Sequence, residues 1–246
     1  MEEKNTQGGF WETTKTVVYA VLIALFIRTV FAEPFSIPSG SMVPTLLVGD
    51  YLFVSKMSYG YSRHSLPLSM PLIKDRIFYT QPERGDVIVF KMPSDNKTDY
   101  IKRLIGLPGD KIQMKDGRLY INGTIVDRKS EGEYVLRDAS GKALRFEKYT
   151  ETLPNGKQHP ILEASDEGTY DNTEEFTVPE DHFFMMGDNR DNSLDSRSLK
   201  VGFVPKNNLV GRAKFLFFSH DDSAAWWQVW KWPMAVRWSR LFGGIK

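Results

Sequence analysis

Asp116-Gly117-Arg118-Leu119-Tyr120-Ile121-Asn122-Gly123 sets two turn dipeptides around a four-residue run that suits a pleated surface. Asp-Gly and Asn-Gly supply the left-handed backbone that a two-residue hairpin turn demands, so the stretch predicts a strand entered and left through tight turns. Apolar runs of similar length recur on both sides, at residues 51–54, 86–90, 175–178, 182–186 and 212–218, bounded by Gly, Pro, Asn or Asp. Between Phe35 and Ser219 no apolar periodicity is long enough for a core helix. The fold class that follows is mainly β.

The chain has 246 residues, ample for a hydrophobic core. Its 32 Lys and Arg balance 31 Asp and Glu, which gives no reason to expect nucleic acid as a partner. The absence of cysteine excludes disulfides, thiolate metal ligands and a cysteine nucleophile together. His64, His159, His182 and His220 show no paired spacing, so a histidine-built metal centre is not expected.

Residues 16–32 form an apolar run broken only by Arg28, about 25 Å long as a helix and close to the hydrocarbon thickness of a bilayer. A cleavable signal sequence and an uncleaved anchor both fit; Arg28, in a position where a cleavage region is normally uncharged, favours the anchor. Lys4 and Lys15 precede the run and no base follows Arg28 until Lys56, which favours a cytoplasmic N-terminus. At the other end Trp226, Trp230, Met234 and Trp238 recur every fourth residue, so a helix there would gather them near one face, although Pro233 would distort it. Trp with Lys and Arg suits a membrane interface; a patch packed on the protein's own core is the alternative. Residues 58–83 read as a Tyr/Ser/Pro-rich connection and residues 128–181 as a polar excursion between core strands.

Three stretches carry polar chemistry. Ile37-Pro38-Ser39-Gly40-Ser41-Met42-Val43-Pro44-Thr45-Leu46 stiffens the backbone with two prolines around Ser-Gly-Ser, a frame able to present a hydroxyl and adjacent N–H groups, or simply a loop leaving the membrane helix. In residues 99–110, Lys102 falls on the strand face shared by Tyr100 and Leu104, where lost hydration would lower its pKa; a lysine snorkelling from a half-buried strand is the plainer reading. To be largely neutral near neutral pH it would have to fall by about 3 units. Residues 186–197 hold three Asp and two Arg among small polar residues and read as a tightly hydrogen-bonded loop. A calcium loop would need D-x-D-x-D-G spacing and a closing Glu, both missing here.

Together these stretches resemble type I signal peptidase, the membrane-bound Ser/Lys protease family. Residues 37–45 are similar to its nucleophile box, 84–90 to the strand box that follows, 100–110 to its lysine box and 187–197 to its C-terminal box, in family order. The resemblance implies an antiparallel β catalytic core after one transmembrane helix, with an inserted β-rich subdomain. The corresponding segments are a cytoplasmic 1–15, a transmembrane 16–32, a core in two parts (33–110 and 180–225), the insertion at 111–179 and a Trp-rich interfacial segment at 226–246. It implies Ser41 as nucleophile, Lys102 as general base, Ser193 as the hydroxyl orienting that lysine, and Ser39 joining the Ser41 N–H in the oxyanion hole. Asp188 and Arg103 match a bracing charged pair. Phe35, Ile37, Met42, Leu46, Tyr100 and Ile101 fall where the family lines pockets for small residues. No metal or cofactor is implied. The implied partners are exported preproteins and the lipid bilayer, at the bacterial inner membrane with the catalytic domain outside. Rival readings are a self-cleaving repressor, which lacks its DNA-binding front end here, a membrane-tethered β-domain that binds exported chains without cutting them, and a Ser/His/Asp hydrolase, for which no G-x-S-x-G elbow exists.

Overall fold

The computed structural model describes residues 7–137, 142–221, 223 and 227–245. Helix α1 (Gln7–Val30) leads, followed by strands β1 (Ala32–Ser36), β2 (Asp50–Ser55), β3 (Val87–Lys91) and β4 (Asp99–Gly106). Strands β5 (Lys111–Lys115), β6 (Arg118–Ile121), β7 (Thr124–Ile125), β8 (Asp127–Arg137), β9 (Ala143–Thr152), β10 (Gln158–Glu163) and β11 (Phe176–Thr177) come next. The chain then runs through β12 (His182–Met186), β13 (Val204–Pro205), β14 (Leu209–Ser219) and the one-turn helix α2 (Trp232–Ala235).

At 24 residues α1 is about 36 Å long, and its apolar window, Trp11–Val30, is not buried in the fold. It starts before the expected residue 16 and stops short of the expected residue 32. Pro34 explains the second shift: its ring bars helical conformation in the residue before it, and it has no N–H to continue the ladder. Residues 32–36 pair instead with β2, Ala32 opposite Ser55.

Seven strands form one antiparallel sheet in the order β1-β2-β14-β3-β4-β12-β13, while β10-β9-β8 and β11-β5-β6-β7 form two smaller sheets. Alternation splits the central strands between separate cores. Val87 and Val89 of β3 pack with Met42, Leu46, Leu52 and Val54 on one face, and Ile88 and Phe90 pack with Leu104, Phe183 and Met185 on the other. Strand β12 divides likewise, with Phe184 and Met186 joining Ile105, Ile112 and Leu119. The hairpins expected around residues 118–121 are present: Asp116, Gly117, Asn122 and Gly123 all have positive φ, and β6 pairs with both β5 and β7.

The C-terminal segment departs from expectation. Trp226 lies outside the described residues. The four-residue α2 and a 3₁₀ turn at Trp238–Arg240 replace the long helix, and Pro233 at the start of α2 permits no preceding helical turn to run through it. The chain runs back along β14 through bridges Val236 to His220 and Gly244 to Phe215. Arg240 anchors it by donating to the buried Asp50 carboxylate at 2.5 and 3.1 Å.

Candidate active site

Strand β4 sits between β3 and β12, with Lys102 opposite Ile88 and Arg103 opposite both Val87 and Met186. Successive residues therefore send a lysine and an arginine to opposite faces of a buried strand. Lys102 is 4% exposed, and its Nζ donates to Ser41 Oγ at 2.6 Å and to the Ile101 carbonyl at 3.0 Å. The Tyr100 ring lies 5.5 Å from the same nitrogen. Burial pulls the ammonium down to about 8; the nearby Asp195 and Asp188 carboxylates oppose this without reversing it, and Arg197 adds to it.

Ser41 lies in a 3₁₀ turn, Gly40–Met42, that follows Ser39. Early in such a turn its N–H has no acceptor within the helix. Ser39 is exposed and its side chain does not cap the turn, so both groups border the cleft as donors not used by the turn itself. Asn189 fixes the turn from behind: its backbone N–H donates to Ser41 O and its side-chain amide to Gly40 O, both at 3.1 Å. A Cβ on Gly187 would lie 2.6 Å from Ser41 O and 2.2 Å from Ser193 Oγ, so only glycine allows this loop so close to the turn that carries Ser41.

On the other face of β4, Arg103 and Asp188 are each 1% exposed and joined by two hydrogen bonds of 2.8 and 2.7 Å. Thr45 Oγ1 donates to the same carboxylate at 2.5 Å, and Arg103 Nη1 donates to the Gly85 carbonyl at 2.7 Å. Burial alone would raise the Asp188 carboxyl, but the Arg103 guanidinium holds it below the usual range. This cluster binds together β4, the loop that carries Ser41 and Thr45, and the loop after β12.

The structure brings Ser39, Ser41, Lys102, Tyr100 and Ile101 to one cleft of about 400 Å³. A second hollow of about 370 Å³ shares Pro38, Asp99, Tyr100 and Ile101 with the first and reaches Phe35, Ile37 and the Arg28 end of α1. Met42 and Leu46, expected to line pockets, are fully buried in the core and border neither space. Ser193 is 6% exposed and its Oγ has no hydrogen-bond partner; the second contact to Lys102 comes from the Ile101 carbonyl instead. Sequence reasoning missed Asn189, Thr45 and Asp195. The first and last lie inside the polar 187–197 stretch, which was the available signal, but Thr45 reads simply as the end of the nucleophile box.

A hydroxyl and an amine whose pKa burial lowers, both buried and at hydrogen-bond distance beside a cleft, form an arrangement capable of nucleophile-and-base chemistry. Comparison with known proteins agrees with that class. The model of the signal peptidase family, peptidase S26, matches residues 10–218. The signal peptidase I of Rickettsia typhi is 42% identical over 260 residues, covering 95% of this chain and 96% of its own. That of Rickettsia massiliae is 42% identical over 268 residues, covering 100% and 98%. A crystal structure of signal peptidase I from Enterococcus faecalis covers 54% of this chain and 97% of its own at 28% identity, with a TM-score of 0.31. The chain belongs to the signal peptidase family, peptidase S26.

Proposed function

We propose that this chain is a membrane-anchored serine endopeptidase that removes N-terminal signal peptides from exported preproteins, cutting after the second small residue of an Ala-X-Ala sequence. The observation that carries the reading is the 2.6 Å contact between Lys102 Nζ and Ser41 Oγ inside a buried site. Neutral Lys102 takes the Ser41 proton as Oγ attacks the scissile carbonyl, and the Ser41 N–H and Ser39 hydroxyl hold the oxyanion. The resulting lysine ammonium protonates the departing amine, leaving an acyl-enzyme and a neutral lysine. Lys102 then deprotonates a water that attacks the ester, and returns that proton to Ser41 as the signal peptide leaves. No step calls for a metal or cofactor.

Helix α1 supplies the anchor. Lys15 before its apolar stretch and the lack of bases between Arg28 and Lys56 favour a cytoplasmic N-terminus with the β-domain outside. The shared lining of the two hollows suits an extended substrate passing from the membrane end of α1 to Ser41. Incubating the detergent-solubilised chain with a preprotein whose signal ends in Ala-X-Ala should give one product beginning at the residue after the second Ala, by N-terminal sequencing, and Ser41→Ala should give none. If the wild type is inert, or Ser41→Ala cuts as fast, a tethered domain that binds without cutting replaces this reading.

The Trp-rich segment gives the domain a seat in the interface of the bilayer. Trp227, Trp230, Trp232, Met234, Trp238 and Phe242 are all exposed, with Lys231, Arg237 and Arg240 among them. Alanine at Trp230 and Trp238 together should slow cleavage of a vesicle-embedded preprotein at least about fivefold while leaving cleavage of a soluble peptide unchanged. Equal rates on vesicles for variant and wild type would remove the seat from the model of action.

A further inference from the structure

Glu163 closes β10 at 3% exposure, and neither of its carboxylate oxygens has a hydrogen-bond partner. Asp171 is fully buried, with Oδ1 likewise without one. One oxygen from each, and one from Asp191 on the 3₁₀ turn Arg190–Asn192, lie within 4.8 Å of one another. Carboxylates this close, two of them out of water, must either hold a proton, and burial does push the Glu163 carboxyl up to about 8, or share a cation that displaces it.

The nearby arginines meet that need only in part, through an Arg128–Glu163 ion pair without a hydrogen bond. Arg128 Nη1 is 3.6 Å from Glu163 Oε1, beyond hydrogen-bond reach, and donates instead to the Gly117 carbonyl, while its Nη2 donates to Asp166. Arg190 is held by Glu151 and Arg197 by Asp195. Each aspartate already uses one oxygen: Asp191 Oδ2 accepts from the Ala164 and Ser165 N–H groups at 2.6 and 3.1 Å, and Asp171 Oδ2 from the Gly168 N–H at 2.5 Å. A Cβ on Gly168 would come within 2.6 Å of Asp191 Oδ1 and 3.0 Å of Asp171 Oδ2, so glycine keeps the space between them clear.

We propose that Glu163, Asp171 and Asp191 form a divalent-cation site, suited to calcium, that ties the loop after β10 to the loop carrying Asp188, Asn189 and Ser193. An all-oxygen, carboxylate set selects a hard cation over zinc or copper. Calcium accepts an irregular set of carboxylate oxygens, whereas magnesium demands a near-ideal octahedron. The site is not contiguous in sequence, since its ligands come from three positions spread over 28 residues.

The test is calorimetric titration and thermal unfolding of the full-length, detergent-solubilised, chelator-stripped chain with calcium, with magnesium in parallel and no substrate present. Wild type should bind one calcium per chain and unfold about 5–10 °C higher once calcium exceeds its Kd about a hundredfold. Glu163→Gln keeps the size of a side chain whose carboxylate oxygens make no hydrogen bond, and Asp191→Asn keeps an oxygen for the Ala164 and Ser165 amides, so both variants should fold. Each should weaken calcium binding at least about tenfold. No heat and no shift in wild type up to about 10 mM calcium, or undiminished binding in either variant, would overturn the proposal. Because nothing is cleaved, the result does not depend on whether Ser41 and Lys102 form a dyad.

Discussion

Lys102→Met should lower kcat on an Ala-X-Ala preprotein by about 10⁴-fold, the upper end of what a positioned base contributes, because one amine serves both acylation and deacylation. The chain should still fold. Methionine fills nearly the volume of the lysine stem, and it removes a cation whose burial is costly at a position 4% exposed, so the unfolding midpoint should hold or rise. Lys102→Arg should be as inactive as Lys102→Met, since a guanidinium cannot be neutral at any working pH. Wild-type activity carries the matching signature. A base works only when unprotonated, so kcat/KM should climb about tenfold per pH unit below 8 and level above it, following the amine that burial has pulled down to about 8. At pH 7 about a tenth of such an amine is neutral, against about one part in three thousand for an unperturbed lysine at 10.5. A rise centred near 10, or a Lys102→Met variant within tenfold of wild type, would show that the amine is not the base.

Much of this architecture was legible in the sequence because it rests on local rules. Asp116-Gly117 and Asn122-Gly123 allow few conformations other than tight turns, and the short apolar runs at residues 86–90 and 182–186 mark strands buried on both faces. Lys102 stands out as a charge on an apolar strand face, but snorkelling is the plainer reading of the residues, and its role as a base comes from the family resemblance. Other features depend on contacts between distant segments. The resemblance implies Met42 and Leu46 as pocket residues, yet both pack into the core with residues of β2 and β3. The periodic tryptophans suggested a helix, but Pro233 and the pairing of Val236 with His220 give the chain a different course. Glu163 was invisible as a site residue because its partners lie 8 and 28 positions away. The polar run at 186–197 was correctly seen as hydrogen-bonded, but which atoms it holds, the Ser41 and Gly40 carbonyls through Asn189, required the fold.

Breaking the Arg103–Asp188 pair should be the most destabilising single change near the site. Both groups are 1% exposed, so removing either leaves a buried charge with no counter-ion, at a cost of about 3–5 kcal/mol. For a chain of this size that lowers the unfolding midpoint by roughly 6–20 °C. Arg103→Met and Asp188→Leu should each show the loss. The double variant should recover most of it, because an apolar pair of similar volume needs no compensating charge. Activity should not recover in parallel. Asp188 also accepts from Thr45 Oγ1, and its carbonyl accepts from the Leu162 N–H at 2.8 Å, so the pair sets the spacing between β4, the nucleophile loop and β10. Leucine can restore the packing but offers Thr45 no acceptor, and a shift of about 1 Å between Lys102 and Ser41 is enough to cost about a hundredfold in rate. A double variant with a restored midpoint and kcat still about a hundredfold low, its pH profile still rising near 8, would separate the brace from the base. If midpoint and kcat recover together, Arg103 and Asp188 are packing alone; if the single variants unfold within a degree or two of wild type, the pair is not the brace its geometry describes.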